Sequence, residues 1–144
     1  MPMSLIRRSA AALLLMAACH AARAGELAVI VSSKSPVSSL RIDQVADIFL
    51  GQVAVLPGGM EVVALDQRIG SPERDEFYAK VASKTPPLVK AYWTKMIFTG
   101  RGQPPREVSG SAAMRKMVAD NPGLIGYIDK SALDASVKAV LLVR

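Results

Sequence analysis

A single cysteine, a single histidine and a single tryptophan are all that 144 residues carry of those three types, and aromatics make up only 5% of the chain. Cys19 and His20 both lie in the first two dozen residues, which read as an export leader. Arg7 and Arg8 form its basic start, Ser9 to Ala18 an apolar run too short to span a bilayer, and Ala22-Arg23-Ala24 an A-x-A cleavage site. Cleavage after Ala24 leaves residues 25–144, a mature chain with neither cysteine nor histidine. Such a chain has no disulfide, thiolate nucleophile, imidazole base or soft-metal site. No metal or cofactor is expected, and most enzyme mechanisms are excluded. The rival processing route is lipidation at Cys19, for which Met16-Ala17-Ala18-Cys19 is a weak lipobox-like match. The soluble route predicts a periplasmic protein.

Charge is also in short supply. Loss of Arg7, Arg8 and Arg23 takes Lys+Arg from 18 to 15 against 12 acids, so the formal charge falls from +6 to +3. That balance suits small anions and is too weak for nucleic acid. A mature chain of this length forms one domain with a workable core, residues 25–144.

What is present is an alternation of short apolar runs and helical stripes. Leu27 to Val31, Val62 to Leu65, Leu124 to Ile128 and Ala139 to Val143 read as buried strands by their length and Val/Ile content. Ile42, Val45, Ile48 and Phe49 share one helical face that stops at Gly51. Ser71 as N-cap and Pro72 at the first helical position open a second helix with Phe77, Tyr78, Val81 and Ala82 on its apolar side. Thr85 and Pro86 open a third, whose stripe of Leu88, Val89, Tyr92, Trp93, Met96 and Ile97 reads as core, with Trp93 as its anchor. Trp93, Tyr92, Phe49 and Phe77 are expected to be buried. Arg101 to Arg106, with two prolines and a glycine, reads as an exposed loop, and Ser109-Gly110-Ser111 precedes a fourth helix carrying Met114, Met117 and Val118. Strands alternating with helices predict an α/β fold: three layers, a mostly parallel sheet and helices on both faces. Ligands of such sheets sit outside the carboxyl ends of the strands.

Three segments repeat one design, in which a strand runs through a Ser/Gly-rich turn into a helix: Ser32 to Ser39, Gln67 to Pro72, and Ser109 to Ser111. Hydroxyls and free N–H groups at helix starts form a cradle of neutral donors for an oxyanion. If the three turns meet at one sheet edge, Ser32, Ser33, Gly70, Ser71 and Ser109 supply such donors, Arg68 supplies a charge-assisted bond, and Arg74 stands in reserve. Asp66, at a strand end, either accepts a proton from a hydrogen phosphate or has a structural role. Glu73, Asp75 and Glu76 suit the dipole of a helix start, and Lys80, Lys84, Lys90 and Lys95 face away from the apolar stripes as solvated surface.

Four stretches together resemble one family. LRIDQVADIFLG (Leu40 to Gly51) and NPGLIGYID (Asn121 to Asp129) are similar to motifs of the periplasmic phosphate-binding proteins of ABC importers. DQRIGSPERDEFY (Asp66 to Tyr78) sits where that family carries its phosphate loop, and Ala91 to Pro105 resembles a segment of its short, single-domain relatives. In that alignment Gly70 and Ser71 match. Gln67 stands where the family has a phosphate-clasping arginine, Ile69 replaces an acid, and Pro72 replaces a glycine and its N–H. The resemblance implies one lobe of a type 2 periplasmic binding protein. It also implies a non-enzymatic role, binding phosphate or a similar oxyanion and serving an inner-membrane ABC permease or another envelope protein. The alternative is an envelope interaction module that keeps the fold without the anion site and docks through a surface such as Phe98 to Arg106.

Overall fold

A computed structural model describes residues 25–144; the expected leader, with Cys19 and His20, lies outside the described residues. The elements run β1 (Leu27–Ser32), α1 (Ile42–Phe49), β2 (Val63–Gln67), α2 (Pro72–Ala82), α3 (Pro86–Phe98), β3 (Arg106–Val108), α4 (Ser111–Asp120), β4 (Leu124–Asp129), a 3-10 turn (Lys130–Ala132) and β5 (Val137–Val143). The sheet order is β3-β2-β4-β1-β5. β2 pairs in parallel with β3 and β4, whereas β1 runs antiparallel to both of its neighbours, β4 and β5. Four strands therefore point one way and β1 points against them. The short strand β3 begins where the sequence reads as an exposed loop.

The alternation within β1 explains the layers. Leu27, Val29 and Val31 join a core with Val45, Ile48 and Phe49 of α1, Phe77 and Val81 of α2, and Trp93 of α3. Ala28 and Ile30 point the other way, into a smaller core with Met114 and Val118 of α4. All of β1 is buried because helices cover both faces of the sheet. Gly126 in β4 lets α4 approach closely: a Cβ there would sit 2.4 Å from the Met114 sulfur.

The expectation for the third helix needs correction. Val89 and Trp93 are buried, Tyr92 and Met96 are half-buried, and Leu88 and Ile97 stand 53% and 47% exposed. α3 leans on the end of α1 rather than on the sheet: Trp93 packs over Gly51, and the Tyr92 hydroxyl donates to the Leu50 carbonyl at 2.6 Å. Only the arc of the stripe turned toward α1 and α2 is therefore covered. Phe49 and Phe77 are buried as the helical faces predict.

Candidate functional site

The direction of β1 decides which of the three turns meet. Val31 of β1 pairs with Ile125, and Ile125 pairs on its other side with Ala64, near the start of β2. Ser32 and Ser33 therefore lie beside the amino ends of β2 and β4. The carboxyl edge is the length of a strand away, about 15 to 20 Å at roughly 3.3 Å per residue. Ser32 is also fully buried and committed: its hydroxyl donates to the Ala119 carbonyl at 3.1 Å and accepts from the Lys34 N–H. Ser33 is exposed at the same far edge. Neither joins the others, which corrects the expectation of three converging turns.

The remaining two turns do share an edge. Gln67 pairs with Val108 in parallel register, so Arg68 and Ser109 are the next residues on neighbouring strands, about 5 Å apart by strand spacing. From here α2 and α4 depart on opposite faces of the sheet, α2 into the larger core and α4 into the smaller one. Ser71 caps α2, accepting the Arg74 N–H at 3.3 Å, and its own N–H donates to the Arg68 carbonyl. Gly70 has φ +87°, a conformation that favours glycine, and nothing stands within 4 Å of where its Cβ would be. α4 starts at Gly110 with no side-chain cap, so its first N–H groups remain available. Arg68 and Ser109 are exposed, and among the described residues Arg68 has no ion-pair partner. One acid intrudes, since the Glu107 carboxylate accepts the Ile69 N–H at 2.8 Å.

Beneath this edge lies a buried network that the sequence reading did not assemble. Asp66, with no exposed surface, accepts hydrogen bonds from the Tyr78 hydroxyl at 2.6 Å, from the Tyr127 hydroxyl, and from the Gln67 N–H at 2.9 Å. Arg74 lies 3.2 Å from its second oxygen and also donates to the Gln67 carbonyl. The structural role of Asp66 is thus the one realised. Arg74 is spent on it, which corrects its standing as a reserve anion ligand. Burial pushes the Asp66 carboxyl above the ordinary range, while Arg74, the two phenols and the Gln67 N–H pull it back. Burial, and then the neighbouring Asp66 charge, push the phenols of Tyr78 and Tyr127 far above their usual value. Gln67, where the resembled family has its clasping arginine, faces inward, and its Nε2 donates to the Tyr127 carbonyl at 3.0 Å. The β2–β4 ladder ends at Ala64, so this side chain spans the gap that opens beyond it.

A groove of about 700 Å³ opens from the same edge. Ile69, Gly70 and Glu107 line one end, and Pro86, Pro87, Ile97, Pro104 and Pro105 line its flanks, together with Trp93 and Arg74. The Trp93 indole N–H is buried beside the Tyr78 hydroxyl and makes no well-formed hydrogen bond among the described residues. A sequence signal for the groove was present in the paired prolines and in the oversized stripe of α3. Nothing local marks Glu107 or Tyr127 as members of the site. Among the described residues no cluster of three His, Cys, Asp or Glu side chains is placed to hold a metal.

No family model and no curated protein sequence matches the chain. Solved structures do. A structure described as a phosphate ABC transporter substrate-binding protein from Clostridium perfringens, with bound phosphate, is 29% identical with a TM-score of 0.63, over 81% of this chain and 45% of that one. An ABC-type phosphate transport receptor from Vibrio cholerae is 20% identical at the same TM-score, over 81% and 46% of the two chains. PstS from Borrelia burgdorferi is 12% identical with a TM-score of 0.56, over 83% and 47%. The fold is that of one lobe of such phosphate-binding proteins, and the chain spans under half the length of these neighbours.

Proposed function

We propose that this chain is an exported, non-enzymatic module that binds an oxyanion, phosphate above others, at the carboxyl edge shared by β2 and β3. It would work with an inner-membrane ABC permease or another envelope protein. The observation that carries the reading is that α2 and α4 both open at the carboxyl ends of adjacent parallel strands, where Arg68 and Ser109 are exposed. Helix starts at one sheet edge offer N–H groups and positive dipole ends there, which is the electrostatic requirement of an anion seat. Arg68, Gly70, Ser71 and Ser109 form that seat. The Clostridium perfringens neighbour, solved with phosphate, supports the choice of anion. Calorimetry of the exported protein with phosphate and with sulfate at low salt tests the reading. Micromolar phosphate binding supports it, and no binding at millimolar phosphate rejects it.

A second reading, the interaction module without an anion site, is favoured by one contact. Glu107 already places a carboxylate on the Ile69 N–H, inside the loop that would hold the anion. If that carboxylate excludes anions, Glu107→Gln will gain phosphate affinity relative to wild type.

A further inference from the structure

We infer that the anion taken here is a phosphate monoester carrying an apolar body, with its head at the Arg68–Ser71 loop and its body along the neighbouring groove. The inference rests on the oxyanion reading and names the ligand class for that same site. The seat and the groove are continuous: Ile69 and Gly70 belong both to the loop that opens α2 and to the lining of the groove. At about 700 Å³ the groove is of small-molecule size, whereas inorganic phosphate needs the space of only a few waters, about 30 Å³ each. Paired prolines on both sides, Pro86-Pro87 and Pro104-Pro105, give it stiff apolar walls that need no ordering on binding.

Polar side chains interrupt that lining, Arg74, Asp75, Lys90, Thr94 and Glu107 among them. Arg74, held by Asp66, reaches its surface, and the Trp93 indole, 5% exposed, lines it with its N–H buried beside the Tyr78 hydroxyl. Asp75 and Glu107 line the same groove, so Arg68, the cation of the loop, fixes the end at which an anionic head sits. The exposed side chain of Ile69 stands at the junction, where an ester oxygen would give way to carbon.

Calorimetry of the exported protein with inorganic phosphate, hexyl phosphate and neutral hexanol tests the inference. Trp93, the only tryptophan, lines the groove and supplies a fluorescence signal for its occupation. Hexyl phosphate is expected to bind at least about tenfold more tightly than inorganic phosphate, a gain that burial of about two methylenes supplies. It should also shift Trp93 emission, which inorganic phosphate should not. Thr94→Phe, which fills the groove, should remove the hexyl advantage and leave inorganic phosphate binding unchanged. Arg68→Ala should weaken both phosphates about ten- to a hundredfold. Thermal melts of each variant exclude unfolding as the cause. Equal affinity for the two phosphates, or hexanol binding as tightly as the ester, overturns the inference and leaves the anion seat standing. Absence of binding by either phosphate removes the seat itself, and the inference with it.

Discussion

Arg74 Nη1 lies 3.2 Å from Asp66 Oδ2, with the carboxylate side chain fully buried and the guanidinium side chain 10% exposed. The pair joins the end of β2 to the first turn of α2, so the loop that offers Arg68, Gly70 and Ser71 is held at both of its ends. Removing one member of a buried pair leaves the other without compensation, at a cost of about 3 to 5 kcal/mol. Arg74→Met should therefore lower unfolding stability by that order in urea titrations. If Arg74→Met leaves stability unchanged and abolishes phosphate binding, the guanidinium is a ligand after all.

Alkali should act through Tyr78 and Tyr127. Both phenols are raised well above 10 in the folded protein, because burial and the Asp66 charge oppose a phenolate. A group whose folded value is raised contributes its full stability below the unfolded value and loses it as pH rises. Above pH 10 the unfolded chain ionises while the native one does not, so each tyrosine costs about 1.4 kcal/mol per pH unit. Phenolate absorbance followed with pH should show these two tyrosines ionising only in step with the loss of folded circular dichroism. Their independent titration while the fold persists would contradict the buried network.

The two edges of the sheet can be separated by substitution. Ser32→Ala removes the bond to the Ala119 carbonyl and should cost about 1 kcal/mol of stability without altering phosphate affinity. Arg68→Ala should do the reverse, lowering affinity with stability changed by no more than about 0.5 kcal/mol, as for other surface positions. Loss of affinity in Ser32→Ala would mean that β1 does not run as described.

Gly126→Ala tests the packing of α4. The added carbon would meet the Met114 sulfur at 2.4 Å, and Met114 is itself fully buried, so the side chain has little room to yield. Overpacking of this kind costs about 1 to 3 kcal/mol. Denaturation midpoints of Gly126→Ala and of the double variant Gly126→Ala with Met114→Ala would check it, because the second substitution should return part of the loss.

Most elements were legible because they are written locally. The apolar runs at Leu27, Leu124 and Ala139 mark strands, and Ser71-Pro72 marks the start of α2 to the residue. That Arg68, Gly70, Ser71 and Ser109 share an edge without Ser32 and Ser33 was not legible, since β3 lies where the sequence reads as a loop and its parallel pairing with β2 is set by the fold. The α3 stripe was overread, since helical spacing shows which residues share a face but not how much of that face a neighbour covers.

By itself, then, the sequence determined the α/β class, the order of all elements but β3, and the likeness to phosphate-binding proteins. Only the tertiary structure decided that β1 runs against its neighbours, because a strand buried on both faces presents the same apolar pattern in either direction. That reversal carries Ser32 and Ser33 to the far edge. Only the tertiary structure, too, brought Tyr127 to Asp66, 61 residues earlier in the chain, and so drew Arg74 inward. Partners that distant are chosen by sheet order and packing, which no local spacing records.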